Sequence, residues 1–226
     1  MQLPLLEVVR SVADGKPKGG ERLLQLLDRA AKTNSLGLFV PWAAPPSGRT
    51  TLGREYETLG WIAAAAEKLG SLAAVTTTFM PADSYAARNN FDMIRASVYW
   101  ETAMEAAQDT VGGAVCVLPA SAIEADPRYA TYMAQQSYAF ERLLEPQRAK
   151  VMASAAKYAG ATSREAAYES AADYAMRRAA EADWVSAELG TLWISLNYPE
   201  RDCMCGDTPR IYAPEQVRTP WLKEAA

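Results

Sequence analysis

Three times along this chain a short apolar or β-branched run closes on a proline, and each time a loop and then a helical pattern follow. The runs are 36–40 before Pro41, 72–79 before Pro81 and 114–118 before Pro119. Proline cannot donate to a β-ladder, so each run reads as a strand that stops there. Between them, 53–69 carries Leu59, Ile62, Ala63, Ala66 and Leu69 at helical spacing and ends on Gly70. Two short amphipathic helices, 5–12 and 21–31, precede the first strand, joined by a turn over 15–20.

Downstream the pattern becomes more helical. Asn90 is placed to cap a helix from Phe91 to about Asp109, and the loop 82–90 leads into it. Asp126-Pro127 opens a helix that should run to about Glu145 and break or kink at Pro146, with another reaching Tyr158. Thr162-Ser163 begins a last long helix ending near Gly190, and 191–197 and 210–213 are further strand candidates. The apolar Thr219-Pro-Trp221 is expected to be packed. The expectation is an α/β fold, Rossmann-like, with a mostly parallel sheet, flanking helices and a long helical C-terminal half. With 226 residues, a single domain over 1–226 is expected, the helices of 1–35 packed on it. The alternative is an all-helical bundle acting as a non-catalytic scaffold or assembly protein. Its support is the tyrosines of the helical half: Tyr129, Tyr132, Tyr138, Tyr158, Tyr168 and Tyr174.

Composition narrows the chemistry. The chain has no histidine, which removes Ser-His-Asp and Cys-His catalysis and any histidine-bearing metal site. Cys203-Met-Cys205 with Cys116 in a strand expected to be buried falls short of a four-ligand zinc set, so no metal and no cofactor are expected. A net charge of -4 argues against a nucleic-acid partner. The alanine-rich 61–69 is too short for a membrane span, and the first residues have no basic n-region. A cytoplasmic protein with a small-molecule substrate and no membrane partner is expected, and a homo-oligomer is left open. The charges Arg177, Arg178, Glu181, Asp183 and Glu188 read as a solvated helix face, with Arg177 and Glu181 as an i,i+4 pair.

In an open α/β sheet, ligands bind outside the carboxyl ends of the strands. That rule puts Ser47, Gly48, Arg49, Thr50 and Thr51 on one side of a crevice and Asp83, Ser84, Tyr85 and Arg88 on the other. The first group offers hydroxyls, backbone N–H groups and a guanidinium to an anion, without a Gly-Lys-Ser/Thr phosphate loop.

The order of these segments resembles the isocyanide (isonitrile) synthase superfamily, which includes pyoverdine-cluster and dityrosine-wall relatives. Phe39-Val-Pro-Trp-Ala-Ala-Pro-Pro-Ser-Gly-Arg-Thr-Thr-Leu-Gly53 stands where that family has a Phe-Pro-x-Lys-Ser-Pro-Asn loop ending in Leu-Gly. Pro81-Ala-Asp-Ser-Tyr85 is similar to its Ser-Asp-Gly loop. Trp193-Ile-Ser-Leu-Asn197 and Thr219-Pro-Trp-Leu222 follow the order of its Arg-Leu-Ser-Ile-His and Thr-Pro-Trp-His motifs. The family lysines are replaced by Ala44 and Thr50, and the late histidines by Asn197 and Leu222. The resemblance implies a diverged transferase or lyase acting on an amino acid or amino-acid conjugate, with or without a sugar phosphate. It casts Asp83, Tyr85 and Glu55 as proton-moving groups and Arg49, Arg88 and Arg210 as anion ligands. Ser47, Thr51, Ser195, Asn197 and Trp221 then complete the substrate crevice.

Overall fold

All three runs are strands in the computed structural model, which describes residues 2–197 and 203–218, although the first continues past Pro41 to Trp42 and the second takes in Pro81. The elements are α1 (Gln2–Val12), α2 (Gly20–Thr33), β1 (Ser35–Trp42), α3 (Glu55–Gly70), β2 (Ala74–Pro81), α4 (Asp83–Arg88), α5 (Met93–Val111) and β3 (Ala114–Val117). Then come α6 (Ala120–Glu124), α7 (Tyr129–Gln135), α8 (Glu145–Tyr158), α9 (Arg164–Trp184), β4 (Leu192–Ser195) and β5 (Arg210–Tyr212). The strands form one parallel sheet in the order β3-β2-β1-β4-β5. The fold is therefore the expected Rossmann-like α/β arrangement, and the helical-bundle alternative is not adopted.

β1 lies at the centre and is covered on both faces, as parallel strands usually are. Leu36, Leu38, Val40 and Trp42 face a core with α1, α2, α3 and α5. Phe39, on the opposite face, joins Trp193 of β4 and residues of α6, α7 and α9. A third cluster unites α8, α9 and the turns around Phe140. Gly37 of β1 is required by close approach: a Cβ there would stand 2.5 Å from the Thr191 methyl group.

Several local expectations are corrected. Residues 83–88 form α4 rather than loop. Asp92, not Asn90, caps α5, because its carboxylate accepts the amides of Ile94 and Arg95 at 3.0 and 3.1 Å. Asn90 instead takes a left-handed conformation, φ 56°. The helix expected from Asp126 to Glu145 is only α7, followed by turns, and Pro146 sits in the first turn of α8, where no N–H is needed. The long final helix widens into one π-turn, Val185–Leu189, before Gly190 ends it at φ 56°. β3 is an edge strand, so Cys116 is exposed rather than buried. The segment from Thr219 lies outside the described residues.

The long connection from β1 to α3 is fixed by a buried polar chain. Glu55, with no exposed surface, accepts Arg49 Nη2 at 2.6 Å, the Gly53 amide at 2.8 Å and the Tyr99 hydroxyl at 3.2 Å. The Tyr99 hydroxyl in turn accepts Trp42 Nε1 at 3.1 Å. Removing one partner of a buried ion pair leaves the other uncompensated in the interior. Arg49→Ala is therefore expected to cost about 3 kcal/mol, a melting-temperature drop of about 6–12 °C for a chain of this size, measurable by calorimetry.

Candidate functional site

β1 is flanked by β2 on one side and β4 on the other, so the chain reverses its direction of travel across the sheet between β1 and β4. Loops diverge at such a point and leave a crevice outside the carboxyl ends of the strands. A cavity of about 680 Å³ occupies it, in the range of small-molecule sites. Its floor is made by Pro41 near the end of β1, Ala43 and Ala44 after it, Met80 of β2, and Leu196 and Asn197 after β4. α4 contributes Tyr85 and Ala86, and α9 contributes Ser170, Tyr174 and Arg178. α8 forms the outer wall through Lys150, Ser154, Lys157 and Tyr158, and both lysines are exposed at the rim.

The inner wall holds a compact polar cluster. Arg178 and Glu181 are 5 % and 2 % exposed and pair at 2.5 Å. The Tyr85 hydroxyl donates to the other Glu181 oxygen at 2.9 Å, and the Tyr85 ring meets Tyr174 edge-on at 5.7 Å between centroids. The Arg178 guanidinium lies 4.4 Å above the Trp193 ring, a cation–π contact in a desolvated place. Burial raises the Glu181 carboxyl above the ordinary glutamate range, opposed by Arg178 and the Tyr85 hydrogen bond. Burial, then the Glu181 charge, pushes the Tyr85 hydroxyl well above the ordinary tyrosine range. Tyr85 therefore stays protonated and serves as a donor.

Of the residues expected from sequence, Tyr85 and Asn197 line this cavity. Ser47 and Arg49 line an adjoining space of about 360 Å³ that shares Ala44, Pro46 and Lys157 with the first. Thr51 gives its carbonyl to Arg49 at 2.9 Å, and Glu55 is enclosed beneath that loop. Asp83 turns to α6, accepting the Ser121 amide at 2.9 Å and the Ser121 hydroxyl. Arg88 pairs with Glu124 at 2.7 Å. Ser195 is buried at the end of β4 and accepts the Asn197 amide at 3.2 Å. Arg210 is buried on β5 among the carbonyls of Cys205, Gly206 and Thr208, with Tyr212 at 3.1 Å. Trp221 lies outside the described residues. Among the described residues, no three His, Cys, Asp or Glu side chains gather as a metal set, and no helix is long and apolar enough to cross a membrane.

The sequence reading missed Arg178 and Glu181 as site residues. Arg177 does not pair with Glu181; it bonds Asp173 at 2.8 Å and Glu124 at 3.4 Å. The overlooked signal is the alanine spacing. Ala167, Ala171, Ala175 and Ala182 form the buried face of α9, and Arg178 falls in the middle of that face.

No family model and no curated protein matches the sequence. Solved structures do resemble the fold. Tyrosyl-tRNA synthetase from Archaeoglobus fulgidus, crystallised with L-tyrosine, superposes with a TM-score of 0.59 at 14 % identity, over 93 % of this chain and 64 % of that one. The chain thus spans less than two thirds of that synthetase. The PvcA protein from Pseudomonas aeruginosa gives 0.55 at 12 % identity, over 98 % and 80 %. The CDPS from Staphylococcus haemolyticus gives 0.54 at 9 % identity, over 90 % and 95 %. At such identities the likeness is one of fold.

Burial also raises the hydroxyls of Tyr99, beside Glu55, and Tyr129, near Glu181. The unfolded chain releases these protons near pH 10 while the native state keeps them. The stability they contribute is complete below pH 10 and falls as pH rises further. Alkaline denaturation followed by tyrosinate absorbance should show Tyr85, Tyr99 and Tyr129 ionising only as the chain unfolds, and Tyr85→Phe should flatten the loss of stability.

Proposed function

We propose that the protein is a biosynthetic enzyme acting on an amino acid or an amino-acid conjugate held in the cavity at the β1–β4 switch. The observation that carries this reading is the charge of the lining: the unburied Lys150 and Lys157 border the cavity, Arg178 reaches its inner end with Glu181 paired behind it, and no carboxylate is among the lining residues described. An anion is favoured there, although the whole chain carries a net charge of -4. Arg178 at the inner end suits a carboxylate, whose two oxygens match the guanidinium fork. Met80, Phe91, Tyr85 and Tyr174 offer apolar and aromatic surface to a side chain. The exposed lysines suit the anionic portion of a conjugate or of a second substrate such as a sugar phosphate.

In this reading Tyr85 and Glu181 hold the mobile proton. Glu181 is enclosed behind Tyr85 and Arg178, so it acts through the Tyr85 hydroxyl. Asp83 and Glu55 position loops instead, since both carboxylates already bind neighbouring elements. The finer assignment, a diverged isocyanide synthase, draws support from the segment order and from the likeness to the pyoverdine-cluster protein PvcA. The amino-acid part draws support from the synthetase fold crystallised with L-tyrosine.

A thermal-shift panel of amino acids, with and without pentose phosphates, tests the reading. At 100 times its dissociation constant a ligand adds about 2.7 kcal/mol. An amino acid should raise the melting temperature, a pentose phosphate should enlarge the shift, and Arg178→Gln should abolish the amino-acid part. Tyr85→Phe should keep binding but lose product formation followed by mass spectrometry. If no amino acid binds and Arg178→Gln changes nothing, the proposed substrate class is wrong.

A further inference from the structure

At the other end of β4, away from the candidate active site, a second cavity of about 460 Å³ opens between α2, α7 and the π-turn after α9. Arg22 and Arg29 enter it from the same face of α2, two turns apart, and Asp183 is the one carboxylate among its described lining residues. That carboxylate is already engaged, by Gln136 at 2.5 Å and by Arg22 at a long 3.4 Å. The cavity therefore keeps a net positive charge. Its other groups are neutral hydrogen-bonding ones: Gln25, Gln135, Ser186 and the Tyr132 hydroxyl.

Two features mark it as more than a surface hollow. Thr191 borders it, is 7 % exposed, and has its hydroxyl buried without a hydrogen-bond partner. Such a hydroxyl is uncommon in folded proteins and costs stability. The Thr191 methyl is held against Gly37, which fixes how the side chain sits. The second feature is Gly190, which adjoins Thr191 and carries a positive φ of 56°. A Cβ there would collide with the Arg29 guanidinium, which donates to the Gly190 carbonyl. Glycine thus lets Arg29 lie directly against the backbone at the cavity edge. It does so at the end of a π-turn, an irregularity often found at functional sites.

We propose that this cavity is a second binding site, for a small hydroxylated anion whose phosphate or carboxylate sits between Arg22 and Arg29. Paired guanidinium groups recognise either anion, and the amides and hydroxyls take the ligand's own hydroxyl groups. The site stands apart from the proposed function, because β4 separates the two cavities: Thr191 precedes the strand, and Leu196 and Asn197 follow it.

Titration of the ¹⁵N-labelled protein with ribose 5-phosphate, gluconate and uncharged ribitol tests this. At least one of the two anions should move the amide signals of Gly190 and Thr191, and ribitol should not. A response to ribose 5-phosphate alone assigns a phosphate, and a response to gluconate alone a carboxylate. Arg22→Ala should weaken binding at least about tenfold, as expected for one lost charge-assisted hydrogen bond. Ser186→Trp, which fills the space, should abolish it. Arg22 is half exposed with one long contact, so its variant is expected to fold. The proposal is overturned if neither anion at millimolar concentration moves these amides, if ribitol binds equally well, or if Arg22→Ala binds as the parent does.

Discussion

A glutamate taken out of water beside an arginine is expensive to hold: desolvation of such a pair costs several kcal/mol per ion and is repaid only when every oxygen and N–H has a partner. Glu181 meets that condition by accepting Arg178 on one oxygen and Tyr85 on the other. The arrangement ties α9 to α4, and the Arg178 ring contact ties both to Trp193 of β4. Three elements that border the candidate site are thus joined through one buried polar cluster. A hydrophobic replacement of similar volume could fill the same space at less cost, so stability alone is a weak reason for the pair.

The packing around that cluster explains how it fits. α9 presents alanines to its neighbours, with Ala171, Ala175 and Ala180 wholly buried, so the helix approaches closely. Close approach leaves little room between the elements, and the buried Arg178 and Glu181 occupy it as a pair. The same economy operates at the sheet, where Gly37 admits Thr191 and Gly190 admits Arg29. Both contacts lie at the amino ends of β1 and β4, and Arg178, Tyr85 and Asn197 gather at the carboxyl ends. β4 therefore links two differently built surfaces.

The architecture was legible in the sequence because three of its strands are marked twice, by β-branched or apolar runs and by prolines at or just past their carboxyl ends. Tyr85 was legible through the switch-point rule, which needs only strand order, and Asn197 through the order of the segments in the family resemblance. Arg178 and Glu181 were not, because charges on a helix normally mark its solvated side and Arg177 offered Glu181 a conventional partner at i,i+4. Reading the alanines first reverses the inference, since Arg178 follows Ala171 by two turns and Ala175 by one. The short α7 escaped notice for a different reason. Residues 136–144 have a helical composition, but tertiary packing of Phe140 and Leu143 into the third cluster favours turns there.

Asp83 shows how position and orientation separate. It stands one residue past the end of β2, after Ala82, where the switch-point rule looks for chemistry, and the family resemblance points to the same residue. Yet its two oxygens are turned to the second residue of α6, Ser121, at the start of that helix. Two residues further on, Tyr85 points the other way and reaches Glu181. Along a helix as short as α4, a step of two residues turns a side chain to the opposite side. The loop thus delivers its polar group to the cavity by way of Tyr85, and its carboxylate to the scaffold.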